Sequence, residues 1–239
     1  MAVDAALADS VRAGGAPVLR LYRWAPAAVS LGRNQPAAGR YDEDVLQSHG
    51  IDIVRRPTGG RAVLHDREIT YSAVFPDRLL GSPREAYVAI NDILRDALGR
   101  LGVEVRQTPE SSAVPPLSLE PCFVQPAPGE LLASGRKVVG SAQMRVGGVL
   151  LQHGSLMLGR SPLLDRLPAA LAEALEGAPA YLNDLGPSRL EPEEVIGAIA
   201  AAWSERLGPL KPAVLDDAEV ADARVHARVF RDPTWTWRR

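Results

Sequence analysis

The sequence predicts an α+β fold, in which a mixed, largely antiparallel sheet is flanked by helices. Short alternating segments joined by glycine turns, such as "ELLASGRKVVGSAQMRVGGVLLQHGSLML" at 130–158, are typical of antiparallel strands. A long segment with apolar residues at helical spacing, "SPREAYVAINDILRDALGRLG" at 82–102, predicts an amphipathic helix. Because strands and helices cluster in separate regions, segregated layers are favoured over a doubly wound parallel sheet.

The first 75 residues contain two predicted helices and most of the predicted strands. An Ala/Leu/Val face predicts a helix over 3–13, and acidic residues suited to the first turn predict a second over 41–50. Strand-forming residues bounded by turn residues predict strands at 18–24, 28–32, 51–56, 62–66 and 69–75. The last two of these follow each other closely, so we predict that they pair as a hairpin.

The rest of the chain combines predicted helices with one antiparallel meander. Ser82 and Glu85 form a capping box at the start of the 82–102 helix, and Gly102 ends it. A short strand, "VEVRQ", is predicted after it, and the segment at 130–158 is predicted to be one antiparallel meander. Further helices are predicted over 162–175 and 192–207, with a last short helix before "TWTWRR". We predict a single domain over 1–239 with a helical C-terminal portion at about 160–239.

Composition excludes several classes of function. The formal net charge of -2 gives no global basic field for nucleic acid. No apolar run approaches the roughly 20 residues of a membrane span, and the first residues lack the features of a signal peptide. We therefore expect a cytoplasmic protein without a nucleic-acid or membrane partner. With one cysteine and no His/Cys spacing for a metal, neither an internal disulfide nor a metal site is expected.

Cys122 is the only cysteine, and its surroundings favour chemistry over packing. It lies in a Pro- and Ser-rich stretch at about 108–129, whereas a structural cysteine usually lies in an apolar periodic segment. A reactive thiolate needs a nearby cation, and Lys137 in "GRKVVGSAQ" is the candidate. An inert thiol and a solvated lysine remain the simpler alternatives. If Lys137 points inward, it must meet an acceptor, because a desolvated unpaired ammonium is costly.

A second cluster lies in "RRPTGGRAVLHD" at 55–66. Its glycines allow the backbone to approach a ligand closely or to take positive φ in a turn. Its arginines either form a solvated face or hold a carboxylate, a phosphate or an acidic partner. The lone histidines His65 and His153 are more typical of structural hydrogen bonding, although His153 is also a candidate base for Cys122. The absence of GxSxG argues against a serine hydrolase.

Taken together, these segments resemble the lipoate-protein ligase and octanoyltransferase family, which shares its fold with biotin ligases. The matching segments follow the family order and cover nearly the whole chain. They are "LRLYRWAPAAVSLGRNQ" at 19–35, "RRPTGGRAVLHDREITYS" at 55–72, "PCF" at 121–123, "GRKVVGSAQMR" at 135–145 and "LLQHGSL" at 150–156. The resemblance implies a mixed sheet with flanking helices around a bent acyl-binding tunnel.

The resemblance is strongest to the cysteine-dependent group, which transfers octanoate from a carrier-protein thioester. It implies catalytic roles for Cys122 and Lys137. It also implies a substrate-binding set of Arg55, Arg56, Gly59, Gly60, Arg61, His65, Gly140, Ser141, Ala142, Gln143, His153 and Gly154. The arginines are expected to help dock acidic proteins through local positive charge.

The implied reaction passes through a thioester at Cys122 and needs no cofactor. The partners are octanoyl acyl carrier protein as donor and apo lipoyl domains or the glycine-cleavage H protein as acceptors. Two alternatives stay open. The first is an ATP-dependent lipoate-protein ligase, which would use ATP and magnesium, and the second is a non-catalytic module that binds acyl carrier protein.

Overall fold

The structure, a computed structural model, describes residues 1–108 and 129–238. Cys122 and most of the predicted 108–129 loop therefore lie outside the described residues. The helices are α1 (Ala2–Arg12), α2 (Glu43–Ser48), α3 (Pro83–Arg100), α4 (Ala169–Leu175), α5 (Leu182–Leu185), α6 (Pro192–Leu207), α7 (Asp217–Arg231) and α8 (Pro233–Thr236). A 3₁₀ turn at Leu164–Arg166 precedes α4.

The strands form three sheets in the described part of the chain. They are β1 (Val18–Tyr22), β2 (Ala27–Leu31), β3 (Ile51–Arg55), β4 (Val63–His65), β5 (Glu68–Pro76), β6 (Arg106–Gln107), β7 (Leu131–Ala133), β8 (Arg136–Lys137), β9 (Val139–Val146) and β10 (Val149–Met157). The largest sheet is antiparallel with order β1-β5-β10-β9. The second has order β3-β2-β4 with a parallel β2–β3 pair, and the third has order β6-β7-β8. This mixture confirms the α+β prediction.

Two predicted pairings are wrong. The segments now seen as β4 and β5 do not form a hairpin, because β4 pairs with β2 while β5 pairs with β1 and β10. The segment at 130–158 is not one meander either. Its first two strands pair with each other in the small sheet, and the chain then enters the large sheet at β9. Hydrophobic alternation marks strands, but it does not state which partner a strand takes.

The main core lies between the large sheet and helices α3 and α6. Alternate residues of β5, such as Tyr71 and Phe75, are buried against it, as side-chain alternation along a strand requires. Helix α3 contributes Ile90 and Leu94 from one stripe, and α6 contributes Trp203. The capping box predicted at the start of α3 is present, with both of its hydrogen bonds. Helices α2 and α4 cover the β3-β2-β4 sheet with a second cluster.

The C-terminal region contains more helix than predicted. Helix α7 has 15 residues, and α8 falls within the segment that we expected to follow the last helix. Helix α7 has no fully buried residue and packs against α1. The chain then returns to β3, where the indole of Trp235 donates to the carbonyl of Arg55 at 2.8 Å. None of the described helices is both long and apolar enough to cross a bilayer.

Candidate active site

A pocket opens where the β3-β2-β4 sheet meets strands β5, β9 and β10. Its empty volume, including the mouth, is about 400 Å³. Eight of the residues predicted from the sequence line it: Arg56, Gly60, His65, Gly140, Ser141, Ala142, His153 and Gly154. These residues come from three of the quoted motifs, at 55–72, 135–145 and 150–156, so the fold brings together segments that are up to nearly 100 positions apart.

Six further residues line the pocket and were not predicted: Met1, Trp24, Ser30, Val63, Thr70 and Ser155. All of them except Met1 lie within quoted motifs, so motif membership was a usable signal for Trp24, Ser30, Val63, Thr70 and Ser155. Trp24 and Val63 add apolar surface, whereas hydroxyl groups add polar surface. The lining therefore contains both kinds of surface, with apolar surface predominating.

The predicted arginines do not form an exposed docking patch. All three are buried, at 0% exposure for Arg55, 5% for Arg56 and 8% for Arg61. Arg55 donates to the carbonyls of Gly32 and Gln35 and, through Nε, to the carbonyl of Thr236 at 2.7 Å. The expectation that these arginines dock acidic proteins is wrong, because their side chains are buried.

Arg56 holds the wall of the pocket in shape. Its guanidinium donates to the carbonyls of Gly59 at 2.9 Å, Arg61 at 2.7 Å and Ser30 at 2.8 Å. The turn at 59–61 is thereby closed around a cation, with Gly60 at a φ of 91°, which only glycine adopts without strain. The charge next to these glycines is thus partly structural, since it satisfies carbonyls that a tight turn leaves without strand partners.

Gly154 allows strands β5, β9 and β10 to pack closely beside the pocket. A methyl group at this position would lie 2.6 Å from the carbonyl oxygen of Gly140 and 2.7 Å from the ring of Tyr71. Tyr71 in turn hydrogen-bonds Ser141 at 2.7 Å and accepts from Gln152 at 2.8 Å. The absence of a side chain here therefore sets the width of the pocket.

The remaining predicted residues lie apart from the pocket lining. Gln143 donates to the side chain of Gln152 at 2.6 Å and to the carbonyl of Pro83, so it ties the sheet to α3. The predicted site residues Arg55, Gly59, Arg61 and Lys137 also do not line this pocket. Cys122 itself lies outside the described residues.

Lys137 is buried and forms an ion pair. Its side chain is 4% exposed, and its ammonium donates to the carboxylate of Glu130, which is 5% exposed. Glu130 is held through its backbone, because its N–H donates to the hydroxyl of Thr108 at 2.9 Å and its carbonyl accepts from the Thr108 N–H at 2.8 Å. The prediction that an inward-pointing lysine must meet an acceptor is confirmed, but the acceptor is a residue that the sequence analysis did not name.

His153 is a buried, neutral residue of the pocket wall. It shares a hydrogen bond of 2.6 Å with the hydroxyl of Thr58. Burial lowers the pKa of His153 to about 3, with Arg56 contributing further. An imidazole with so low a pKa is a poor proton acceptor at neutral pH. This argues against the role as a base for Cys122 that the sequence left open.

We expect His153 to make the fold less stable in mild acid. The unfolded chain protonates this ring near its ordinary value of 6.5, whereas the folded chain does not until about pH 3. Between these values the unfolded state binds more protons, so the free energy of unfolding falls as pH falls, by about 1.4 kcal/mol per pH unit. Urea unfolding at pH 7 and pH 5 measures the slope, and H153Q should reduce it. The variant H49Q, at the residue that follows α2, is the matched control. An equal reduction of the slope in both variants would contradict the prediction.

Within residues 1–108 and 129–238, no group of three or more His, Cys, Asp or Glu side chains is arranged to hold a metal ion.

The fold and the pocket define the class of protein. The structure superimposes on a lipoate-ligase-like protein of Thermoplasma acidophilum, solved with bound lipoic acid, with a TM-score of 0.80 and 25% identity over 100% of this chain and 92% of that one. A lipoate-protein ligase A bound with ATP gives a TM-score of 0.79 at 24% identity, covering 99% and 92% of the two chains. The second likeness concerns the fold alone.

Sequence similarity identifies the family. The lipoyl protein ligase A/B catalytic domain family matches residues 1–203, and the chain belongs to this family. Octanoyltransferase LipM of Kyrpidia tusciae is 36% identical over 259 residues, covering 100% of this chain and 94% of the relative. Octanoyltransferase LipM of Staphylococcus aureus is 34% identical, with the same coverage. The resemblance inferred from the motifs is therefore confirmed.

Proposed function

We propose that this protein is an octanoyltransferase that moves an octanoyl group from acyl carrier protein to a lysine of a lipoyl domain or of the glycine-cleavage H protein. Cys122 carries the group as a thioester between the two half-reactions, and Lys137 assists both. The observation that carries the proposal is the buried ammonium of Lys137. It lies on β8, three residues before the Gly140–Ala142 stretch of β9 that lines the pocket.

Full-length similarity to proteins named octanoyltransferase supports the reaction class. The pocket supports the substrate class, because glycines, Val63 and Trp24 offer surface to an aliphatic chain. Burial of a C8 chain is worth roughly 5 kcal/mol at ~0.8 kcal/mol per methylene. That energy is sufficient to discriminate between chain lengths, and it leaves product release possible.

In the first half-reaction, the thiolate of Cys122 attacks the carbonyl carbon of the donor thioester. Negative charge then develops on the carbonyl oxygen, where an ammonium in a buried site stabilises it strongly. An ammonium has three N–H donors, so the bond from Lys137 to Glu130 is compatible with a second bond to this oxygen. Collapse of the intermediate breaks the donor carbon–sulfur bond, releases the carrier thiolate and leaves the octanoyl group on Cys122.

In the second half-reaction, the neutral amine of the acceptor lysine attacks the acyl-enzyme. The carbon–nitrogen bond forms, the carbon–sulfur bond breaks, and the amine proton leaves with the thiolate or with solvent. An amide is more stable than a thioester, so this step drives the cycle, and the reaction as a whole needs neither nucleotide nor metal.

The test is incubation with octanoyl acyl carrier protein and an apo lipoyl domain, with and without ATP and magnesium. We expect mass spectrometry to find an octanoyl adduct on Cys122 when the acceptor is left out, and octanoylated lipoyl domain when it is present. Neither product should need ATP. The variant C122A should form no adduct.

The outcome separates this proposal from its alternatives. Transfer that requires ATP and survives in C122S would identify a ligase. Binding of the carrier protein without turnover would indicate a non-catalytic module. Either result contradicts the proposal.

A further inference from the structure

We infer that Ser30, His65 and Glu68 form a second acyl-handling centre, which hydrolyses medium-chain acyl thioesters and esters independently of Cys122. The hydroxyl oxygen of Ser30 lies 2.7 Å from Nε2 of His65, and Nδ1 of His65 lies 2.7 Å from Oε1 of Glu68. This order of hydroxyl, imidazole and carboxylate is the arrangement that activates a serine nucleophile.

Proton positions along this array are consistent with nucleophile activation. An ionised carboxylate only accepts, so Nδ1 of a neutral His65 donates to Glu68, and Nε2 is left to accept the proton of Ser30. The hydroxyl of Thr70 also donates to Glu68, and the indole of Trp24 donates to Thr70 at 2.9 Å. With His65 neutral, each donor in the chain therefore has an acceptor, and this arrangement corresponds to the tautomer that a general base requires.

The orientation of the array is held from both sides. The ring of Trp24 stacks on His65 with a centroid distance of 4.3 Å and an interplanar angle of 18°. Glu68 is fully buried, at 0% exposure. An imidazole fixed by stacking and by a buried carboxylate keeps Nε2 directed at Ser30 without an entropy cost at the moment of reaction.

A cation lies beside the serine oxygen. Nη1 of Arg56 donates to this oxygen at 3.1 Å and to the backbone carbonyl of Ser30 at 2.8 Å. A guanidinium at this distance stabilises negative charge on the attacking oxygen and on an oxyanion next to it.

The array is accessible to a substrate, which separates it from a purely structural network. Ser30, His65 and Arg56 line the same pocket that the proposed transfer reaction uses for its acyl chain. The substrate class follows from this position, since an acyl chain that enters the pocket reaches the wall that carries Ser30 and His65.

The reaction has two stages. In the first, the oxygen of Ser30 bonds to the acyl carbon, the carbon–sulfur bond breaks, and the serine proton passes through Nε2 of His65 to the leaving thiolate. In the second, water gives a proton to Nε2 and its oxygen bonds to the acyl carbon. The serine ester breaks, and Ser30 takes the proton back. The products are the free thiol and octanoate.

The test uses the full chain with C122A as background, because this variant removes the thiol of the transfer reaction. Its substrates are p-nitrophenyl octanoate and the octanoyl thioester of N-acetylcysteamine. We expect C122A to hydrolyse both faster than buffer alone, and C122A/S30A to lose the rate by about 100-fold or more. The matched control is C122A/S161A, since Ser161 is also buried but bonds to Asp66 away from this pocket. The control should keep the rate of C122A.

A covalent label keeps the inference testable if S30A does not fold. An alkyl fluorophosphonate with a C8 chain should modify Ser30 in C122A, as located by peptide mass spectrometry. Hydrolysis by C122A no faster than buffer, equal rates in C122A and C122A/S30A, or an absence of label on Ser30 would each overturn the inference. The proposed transfer is measured separately in the wild type, so its failure and the failure of this inference are distinguishable.

Discussion

Replacing Lys137 by Met is expected to lower the rate of octanoyl transfer by about 1000-fold, because the carbonyl oxygen loses the cation that stabilises its developing charge. The side chain keeps its length and its apolar stem, so packing around β8 changes little. Steady-state transfer to an apo lipoyl domain measures the effect, and it should appear in kcat more than in KM, since the interaction strengthens as charge develops.

K137M also affects stability, because Lys137 pairs with the buried carboxylate of Glu130, and a second substitution at Glu130 supplies the control. K137M leaves Glu130 as a buried carboxylate without its lysine, and breaking a buried pair typically costs about 3–5 kcal/mol of stability. The double variant E130Q/K137M removes both charges and should recover much of that stability while the transfer rate stays low. If the double variant regains activity together with stability, the role of Lys137 is structural and the assignment to catalysis is wrong.

Replacing Gly32 by Ala is expected to lower the stability of the fold strongly. An added methyl group would lie 1.8 Å from the carbonyl oxygen of Gly60, which is backbone and cannot rotate away. Overpacking of this kind costs about 3 kcal/mol, and in a chain of this size it should lower Tm by about 10 °C. Because Gly60 lines the pocket, the forced shift also moves the pocket wall.

The matched control for G32A is G59A. A methyl group on Gly59 meets no atom within 4 Å, so Tm should change little. Calorimetric or fluorescence melting curves compare the two variants. Equal Tm values for G32A and wild type would show that the close approach of Gly32 to the carbonyl of Gly60 does not constrain the turn at 59–61, and would contradict the prediction.

Local signals predicted most of the elements because each rests on neighbouring residues. The capping box of Ser82 and Glu85 and the apolar stripe that follows it define α3 without tertiary information. Helix α6 occupies the predicted range 192–207, since Pro192 opens it and Val195 and Ile199 share one face. Strand pairing failed where it depended on distant partners, as for β4, which pairs with β2 more than 30 residues earlier.

The candidate site was predictable to the extent that family motifs carry it. The motifs at 55–72, 135–145 and 150–156 do meet at one pocket, and Lys137 is buried as an inward-pointing lysine would be. The sequence suggested no partner for that lysine. Glu130 reaches it because β7 and β8 form a tight antiparallel pair, with Leu132 opposite Lys137.

By itself, the sequence determined the class of fold, the family and the residue types available for acyl transfer, because these depend on local pattern and on motifs in a fixed order. Only the tertiary structure decided which charges are structural and which serve the pocket. The sequence shows that Arg55 and Arg56 are charged but not where their side chains lie. In the fold, the guanidinium of Arg55 donates to a carbonyl of α8 and that of Arg56 donates to a carbonyl of β2. The antiparallel pairing of β4 with β2 sets Ser30 beside His65 across 35 residues of chain, a juxtaposition that no spacing rule contains.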